Sequence, residues 1–274
     1  MELAELRRIW KAENNNNREA VASLWNGMAA KFSRKEGLRF EDDAFLQLMD
    51  RRGLLRKEAS VLDVGCGTGA YLLAAAPRIG RGVGCDIAED MLAVGRAQAR
   101  EQGIGNAEFL CLDWRTADID ALGWRGAFDV VFAHMTPAVC DYDTLDKLVL
   151  CAKGYCLMKK PARRTDRVLD TGMDALGLPR RDLGSDETMQ RIFCYLWNKG
   201  FEPAFHYAHR RTASRVRVEE AVAEVLRWAR LQRETTPEDE ETLRAHFSAM
   251  AKDGLVSGEM NTTTVTIDWA VSTI

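Results

Sequence analysis

The sequence predicts an α/β protein. Its expected core is a seven-stranded, mostly parallel sheet with helices on both faces, with an N-terminal helical cap and a helical insert before the last strand. Three observations carry this. From Ala59 onward, short apolar, β-branched runs alternate with amphipathic stretches, the pattern of a parallel sheet covered on both sides. The first run, Val61-Leu62-Asp63-Val64, stops at closely spaced glycines, Gly65, Gly67 and Gly69, and a helix-like stretch follows. Near the end, Val265, Ile267 and Trp269 alternate with threonine and aspartate, as in a strand with one buried face.

A chain of 274 residues can bury one core, or one core and a smaller cap. With 46% hydrophobic and 29% charged residues it has the composition of a soluble globular protein. The formal net charge of -3 gives no electrostatic case for nucleic acid or an anionic membrane as partner. No apolar run approaches the roughly 20 residues that span a bilayer. The opening Met-Glu-Leu-Ala-Glu-Leu-Arg-Arg lacks the build of a signal peptide, so a cytoplasmic location is expected. The seven cysteines include no C-x-x-C pair and read as free, buried thiols of a reducing compartment. No metal-ligand cluster stands out.

Residues 1–57 read as a helical cap or lid. Leu3, Leu6 and Trp10 fall at helical spacing, and the run Asn14 to Asn17 breaks the pattern. A second helix, Arg18 to Phe32, carries Val21, Leu24, Trp25 and Met28 on one face; a third, Glu41 to Met49, ends before Gly53. The core is expected over 58–213 and 259–274. Its strands are Val61 to Val64, Arg81 to Asp86, Ala107 to Leu110, Phe128 to Ala133, Gly154 to Met158, Phe201 to Ala208 and Thr262 to Val271. Helices are expected at Tyr71 to Ala76, Glu89 to Gln102, Tyr142 to Cys151 and Asp186 to Lys199. Lys159 to Arg181 reads as a basic, loop-rich stretch. The insert, 214–258, holds helices at Val218 to Trp228 and Pro237 to Met250, and could cover a second ligand.

A strand that feeds a helix through glycines brings bare backbone N–H groups up to a ligand, so a nucleotide-like molecule can lie against the turn. Gly65, Gly67 and Ala70 also satisfy the looser dinucleotide pattern, which keeps a nicotinamide cofactor open. Asp63, inside the strand, could meet a cationic amine near the turn. Asp86 ends the second strand about 20 residues after the glycines, where a carboxylate can accept two ribose hydroxyls. Asp113 and Trp114 follow the third strand.

Val61-Leu-Asp-Val-Gly-Cys-Gly-Thr-Gly69, with these two later acids, resembles the class I S-adenosylmethionine-dependent methyltransferases. The likeness covers 59–160 well and 185–210 more loosely. It implies S-adenosyl-L-methionine as cofactor, S-adenosyl-L-homocysteine as product, and direct displacement onto a small-molecule acceptor, by a monomer or homodimer. Asp63, Gly65, Cys66, Gly67 and Gly69 would then form the first cofactor contact, and Asp86, Ile87 and Met91 the second. Asp113 would meet the adenine amino group, while Trp114 would read the ring through its backbone and offer a face for stacking. His134, after the fourth strand, would touch the sulfonium end and is the candidate general base, with an ordinary pKa near 6.5. Trp25 and Tyr142 are candidate acceptor contacts. Two other readings stand beside this one: an NAD(P)-dependent oxidoreductase, and a binding module that holds the cofactor without turnover.

Overall fold

Residues 2–12, 18–33, 38–180 and 186–271 are described by the structure, a computed structural model. The asparagine run and Arg181 lie outside these residues. Four helices precede the sheet: α1 (Leu3–Ile9), α2 (Arg18–Asn26), α3 (Ala29–Ser33) and α4 (Ala44–Arg51). The helix expected over Arg18 to Phe32 is broken at Gly27 and Met28. Asp43 caps α4, its Oδ1 accepting from the N–H groups of Phe45 and Leu46, and Gly53, at a φ of 67°, closes the other end.

Strands and helices then alternate: β1 (Ser60–Val64), α5 (Ala70–Ala75), β2 (Arg81–Asp86), α6 (Glu89–Glu101), β3 (Ala107–Cys111), β4 (Phe128–His134), α7 (Tyr142–Cys151) and β5 (Ala152–Asp166). There follow α8 (Arg167–Ala175), α9 (Asp186–Asn198), β6 (Ala204–Arg217), α10 (Val218–Ala229), α11 (Pro237–Met250) and β7 (Leu255–Ala270). The seven strands form one sheet in the order β3-β2-β1-β4-β5-β7-β6. All neighbours from β3 to β5 run parallel, and β7 lies antiparallel between β5 and β6. This is the expected fold.

Both faces of the central strands are covered, which is why their sequences are continuous apolar runs. On one face Leu6 of α1 and Trp10 just after it, Leu145 of α7 and Tyr195 of α9 pack with Leu62, Val131 and Cys156. On the other, Phe45, Leu46 and Met49 of α4 and Leu72 of α5 close over Val61, Phe132 and Leu157. Each such burial contributes roughly 1.5–3 kcal/mol. Thus α1 belongs to the core, while α2 and α3 lie against α6, where Ala29, Trp25 and Phe32 meet Ala88 and Met91.

The main departure from expectation is the length of the last three strands. β5 does not stop at Met158 but continues to Asp166, paired throughout with β7. β6 and β7 extend equally far, joined from Ala204↔Asp268 to Arg217↔Leu255. The stretch expected as loop is therefore strand followed by α8, and the insert begins at Val218 and ends before Leu255. Once clear of the core, β5 has no apolar face to bury, and Lys159-Lys-Pro-Ala-Arg-Arg164 reads as loop although the ladder persists. Pro161 stands at a register shift, as proline within a sheet requires.

Because β5 runs parallel to β1 and β4, this ribbon rises past their carboxyl ends. Its tip carries a second core, in which Val168, Leu169 and Met173 of α8, Val225 of α10 and Phe247 of α11 pack with Val256. The cap is thus three helices from two parts of the chain: α10 and α11 of the insert, and α8, which lies outside the expected insert.

Candidate functional site

The site lies at the carboxyl ends of the parallel strands. After Val64 the chain turns through Gly65, Gly67 and Gly69, all left-handed with φ of 67°, 57° and 69°. Two of these glycines are also required by space. A Cβ on Gly65 would lie 2.0 Å from Thr136 Oγ1, and one on Gly69 would lie 2.2 Å from the Phe109 ring. Beside Gly67 there is nothing within 4 Å, which leaves open space against bare backbone. The turn is held by Cys66 N–H on the Cys85 carbonyl at 3.0 Å and Gly69 N–H on the Cys66 carbonyl at 2.9 Å.

Asp86 joins the next strand to this turn. Its Oδ2 accepts from Gly67 N–H at 2.8 Å and its Oδ1 from Ala88 N–H at 2.9 Å. Burial raises its pKa, while the N–H groups of Ala88, Gly67 and Ile87 oppose the rise. The cap residue of α6 is Ala88, so Asp86 does not cap that helix. The Asp63 side chain, on a residue 2% exposed, makes no hydrogen bond or ion pair among the described residues. Its pKa is driven well up, first by burial and then by the carboxylate of Asp86.

Asp113 follows β3. Its Oδ1 accepts from Arg115 N–H at 2.9 Å, and Arg18 Nε lies 3.1 Å from Oδ2, which has no aligned donor of its own. Trp114 is placed differently from expectation. Its ring is 3% exposed, its Nε1 donates to the Thr144 carbonyl at 3.1 Å, and Lys147 Nζ lies 5.6 Å from the ring centroid. The indole is core and has no free face for stacking. Ile87 lies beside Asp86 and accepts from Cys111 Sγ through its carbonyl. Met91 is 2% exposed, inside the cluster that includes Trp25. Trp25 therefore covers the start of α6, away from β4.

Tyr142 is also corrected. It is 7% exposed, edge-on to Tyr195 at 5.2 Å, and belongs to the α1–α7–α9 core. It is not available to an acceptor. His134 does reach the site. The Tyr71 ring lies 3.7 Å from its centroid and Phe45 meets it at 4.9 Å. Its Nε2 is buried without a partner among the described residues. Burial and, secondarily, Lys159 push its pKa down to about 3, so it is neutral at ordinary pH and a weak base. The sign of the linkage is definite: with the folded value below the unfolded one near 6.5, stability is lost as pH falls from there toward about 3. Denaturant titrations across that window should show a pH slope in the native protein that is smaller in His134→Phe.

Next comes Met135, left-handed at a φ of 52°, and Thr136, whose Oγ1 accepts from Ala138 N–H at 3.2 Å and roofs Gly65. Lys160 braces this loop from β5, its Nζ donating to the Val139 carbonyl at 2.5 Å; burial lowers its pKa to about 8. Tyr71, Phe45 and Lys160 were not singled out as site residues in the sequence. Tyr71 directly follows the glycines, and Thr136 lies in the stretch after β4, His134 to Val139, that was expected at the site. Among the described residues no group of three or more His, Cys, Asp or Glu is placed to hold a metal ion. No helix among them is long and apolar enough to cross a membrane.

Residues 61–153 match the family model of a methyltransferase domain. The matched residues take in β1 to β4 with the glycine turn and α7. Over 124 residues, 44% of the chain, it is 36% identical to the nocamycin O-methyltransferase of Saccharothrix syringae. Over 79 residues, 26% of the chain, it is 37% identical to the aklanonic acid methyltransferase DauC of Streptomyces sp. (strain C5). The chain spans only 40% and 36% of the lengths of these two relatives. Among solved structures, it is similar in fold to phosphoethanolamine N-methyltransferase 2 of Haemonchus contortus, with a TM-score of 0.54 and 14% identity. That likeness covers 94% of this chain and 60% of the other. Within the matched residues lie Asp63, the glycine turn, Asp86, Asp113 and His134; the ribbon tip and its cap fall outside them.

Proposed function

We propose that this chain is an S-adenosyl-L-methionine-dependent methyltransferase acting on an oxygen of a small-molecule acceptor, with S-adenosyl-L-homocysteine as product. The observation that carries the reading is the pair of carboxyl groups, Asp63 and Asp86, set around a glycine turn with open space beside Gly67. The residues fit the cofactor: Asp63, deprived of a partner, suits a cationic amine, and Asp86 suits a ribose diol. Gly65, Cys66, Gly67 and Gly69 offer backbone, Ile87 an apolar flank, and Asp113 with the Trp114 backbone the adenine edge. The names of the two relatives support a small-molecule acceptor, and one of them supports oxygen as the atom methylated.

When bound, the cofactor supplies a methyl group already activated by a sulfonium. The protein then has to align and to exclude water, and orientation of this kind lowers barriers by roughly 7–11 kcal/mol. Thr136 and the braced loop to Val139 hold one wall in place. His134, neutral, orients an acceptor hydroxyl by accepting a hydrogen bond at Nε2, and the hydroxyl proton is released to water once the oxygen carries the methyl group. Trp25, of α2 and packed against the start of α6, is assigned to the cofactor side.

Isothermal titration tests the cofactor. Binding of S-adenosylmethionine and S-adenosylhomocysteine with no response to NAD(P) is expected, and the reverse would overturn the reading. Binding without methyl transfer to any of a broad set of phenols and enols would favour a non-catalytic role. Asp86→Ala should weaken S-adenosylhomocysteine binding by about 1–3 kcal/mol through lost hydrogen bonds to the ribose. An unchanged dissociation constant would remove Asp86 from the site.

A further inference from the structure

Above the level of His134 a groove of about 420 Å³ crosses β5, β7 and β6 of the ribbon. Strand alternation divides its lining between two faces. On the face toward α9, Arg163 is held by Asp186, Arg211 by Glu259, and His209 Nδ1 meets Thr263 Oγ1. Those charges are matched. The other face differs. Arg164 and Arg210 flank Thr262 in one cross-strand row, Arg164↔Thr262 and Arg210↔Thr262.

Among the described residues no carboxylate pairs with either guanidinium; Arg164 has only the Met260 thioether, a weak acceptor. Thr262 Oγ1 is buried with no partner. A buried hydroxyl without a partner destabilises a fold, and two guanidinium groups with one strand between them repel each other, more weakly than direct neighbours would. One oxyanion placed over Thr262 would relieve both.

The register ties this row to the methyltransferase site. His134 lies beside Lys159, Lys159 is opposite Thr266, and Thr262 is on the same face of β7. The four residues from Thr266 to Thr262 span roughly 13 Å. The row is also framed on that face. Nearer the core is α4, tied by Arg52 Nε to Asp268 Oδ2 at 2.8 Å; farther out the cap is seated through Val168 and Val256.

We propose that Arg164, Thr262 and Arg210 receive an oxyanion, a carboxylate or a phosphate, carried at the far end of the methyl acceptor. The acceptor is then an elongated acid whose reacting atom lies near His134. This assignment rests on the methyltransferase reading given above. The half-buried Arg164 and the exposed Arg210 supply charge recognition, and Thr262 a neutral donor to the anion.

The test uses the full chain saturated with S-adenosylhomocysteine and three probes: a hydroxybiphenyl bearing, at the opposite end, a carboxylate, a phosphate or a carboxamide. Isothermal titration should show an acid bound about tenfold or more tightly than the amide, as expected of charge-assisted hydrogen bonds. The tighter of the two acids identifies the source of the oxyanion. In the Arg164→Gln, Arg210→Gln double variant the preference should vanish, while S-adenosylhomocysteine binds as in the native protein. Thr262→Val, which keeps the charges and suits a strand, should narrow it. Equal binding of acid and amide, failure of both acids to bind, or a preference that survives in the double variant would overturn the proposal. Failure of the native protein to bind S-adenosylhomocysteine would instead overturn the methyltransferase reading.

Discussion

Gly65→Ala is expected to eliminate measurable binding of S-adenosylhomocysteine and to lower the melting temperature. The φ of 67° alone disfavours any side chain by roughly 1–2 kcal/mol. The added methyl would also stand 2.0 Å from Thr136 Oγ1 and 2.8 Å from its Cβ. Threonine is short and branched, so it cannot swing aside as a lysine could. The turn or the loop after β4 must move, and a displacement of about 1 Å in a binding constellation costs on the order of a hundredfold. Gly67→Ala is the natural control, since its Cβ meets nothing within 4 Å. It shares the backbone strain but not the collision. Titration calorimetry and thermal denaturation of the two variants should therefore separate, and equal behaviour would show that the Gly65–Thr136 contact is unimportant.

The second large effect concerns Asp63 and has opposite signs with and without ligand. Burial and Asp86 raise its pKa, so the ionised form weakens the ligand-free fold. A raised folded pKa means that stability is fully present below the ordinary carboxylate range and is lost as pH rises through the folded value. Asp63→Asn should accordingly be more stable than the native protein at neutral pH, by roughly 1 kcal/mol, with the advantage shrinking toward acid. The same change should weaken S-adenosylhomocysteine binding by about ten- to a hundredfold, because the charge that answers the amine is gone. Melting curves with and without ligand, across pH, test both halves. A variant that is less stable at neutral pH, or that binds as tightly, would contradict the assignment.

The sheet was legible where the sequence had to satisfy two buried faces. β2 and α7 have the bounds expected from their apolar runs, Arg81–Asp86 and Tyr142–Cys151. The glycine turn and the acids within β1, at the end of β2 and after β3 were legible because the spacing itself places them near the strand ends. What could not be read was whatever depends on distant partners. Trp114 looks like a ligand face beside Asp113, yet Thr144 and Lys147 claim its ring. Tyr142 looks like a site residue at the start of a helix, yet Tyr195 covers it. The outer halves of β5, β6 and β7 escaped notice because a ribbon in solvent carries no apolar alternation to announce it.

The ribbon also dictates an order of events in folding. β7 pairs with β5 across a gap that includes Tyr155↔Ala270 and with β6 through Ala204↔Asp268. Neither outer strand has another neighbour beyond the level of His134, so both wait for the last strand to arrive. The helices of the tip can form early but have no common floor until then, because Val256 of β7 lies in their core. Closing such long loops is entropically slow. The cap should thus dock last, in a phase separate from collapse of the β1–β4 layer, and it should be the first part to come apart.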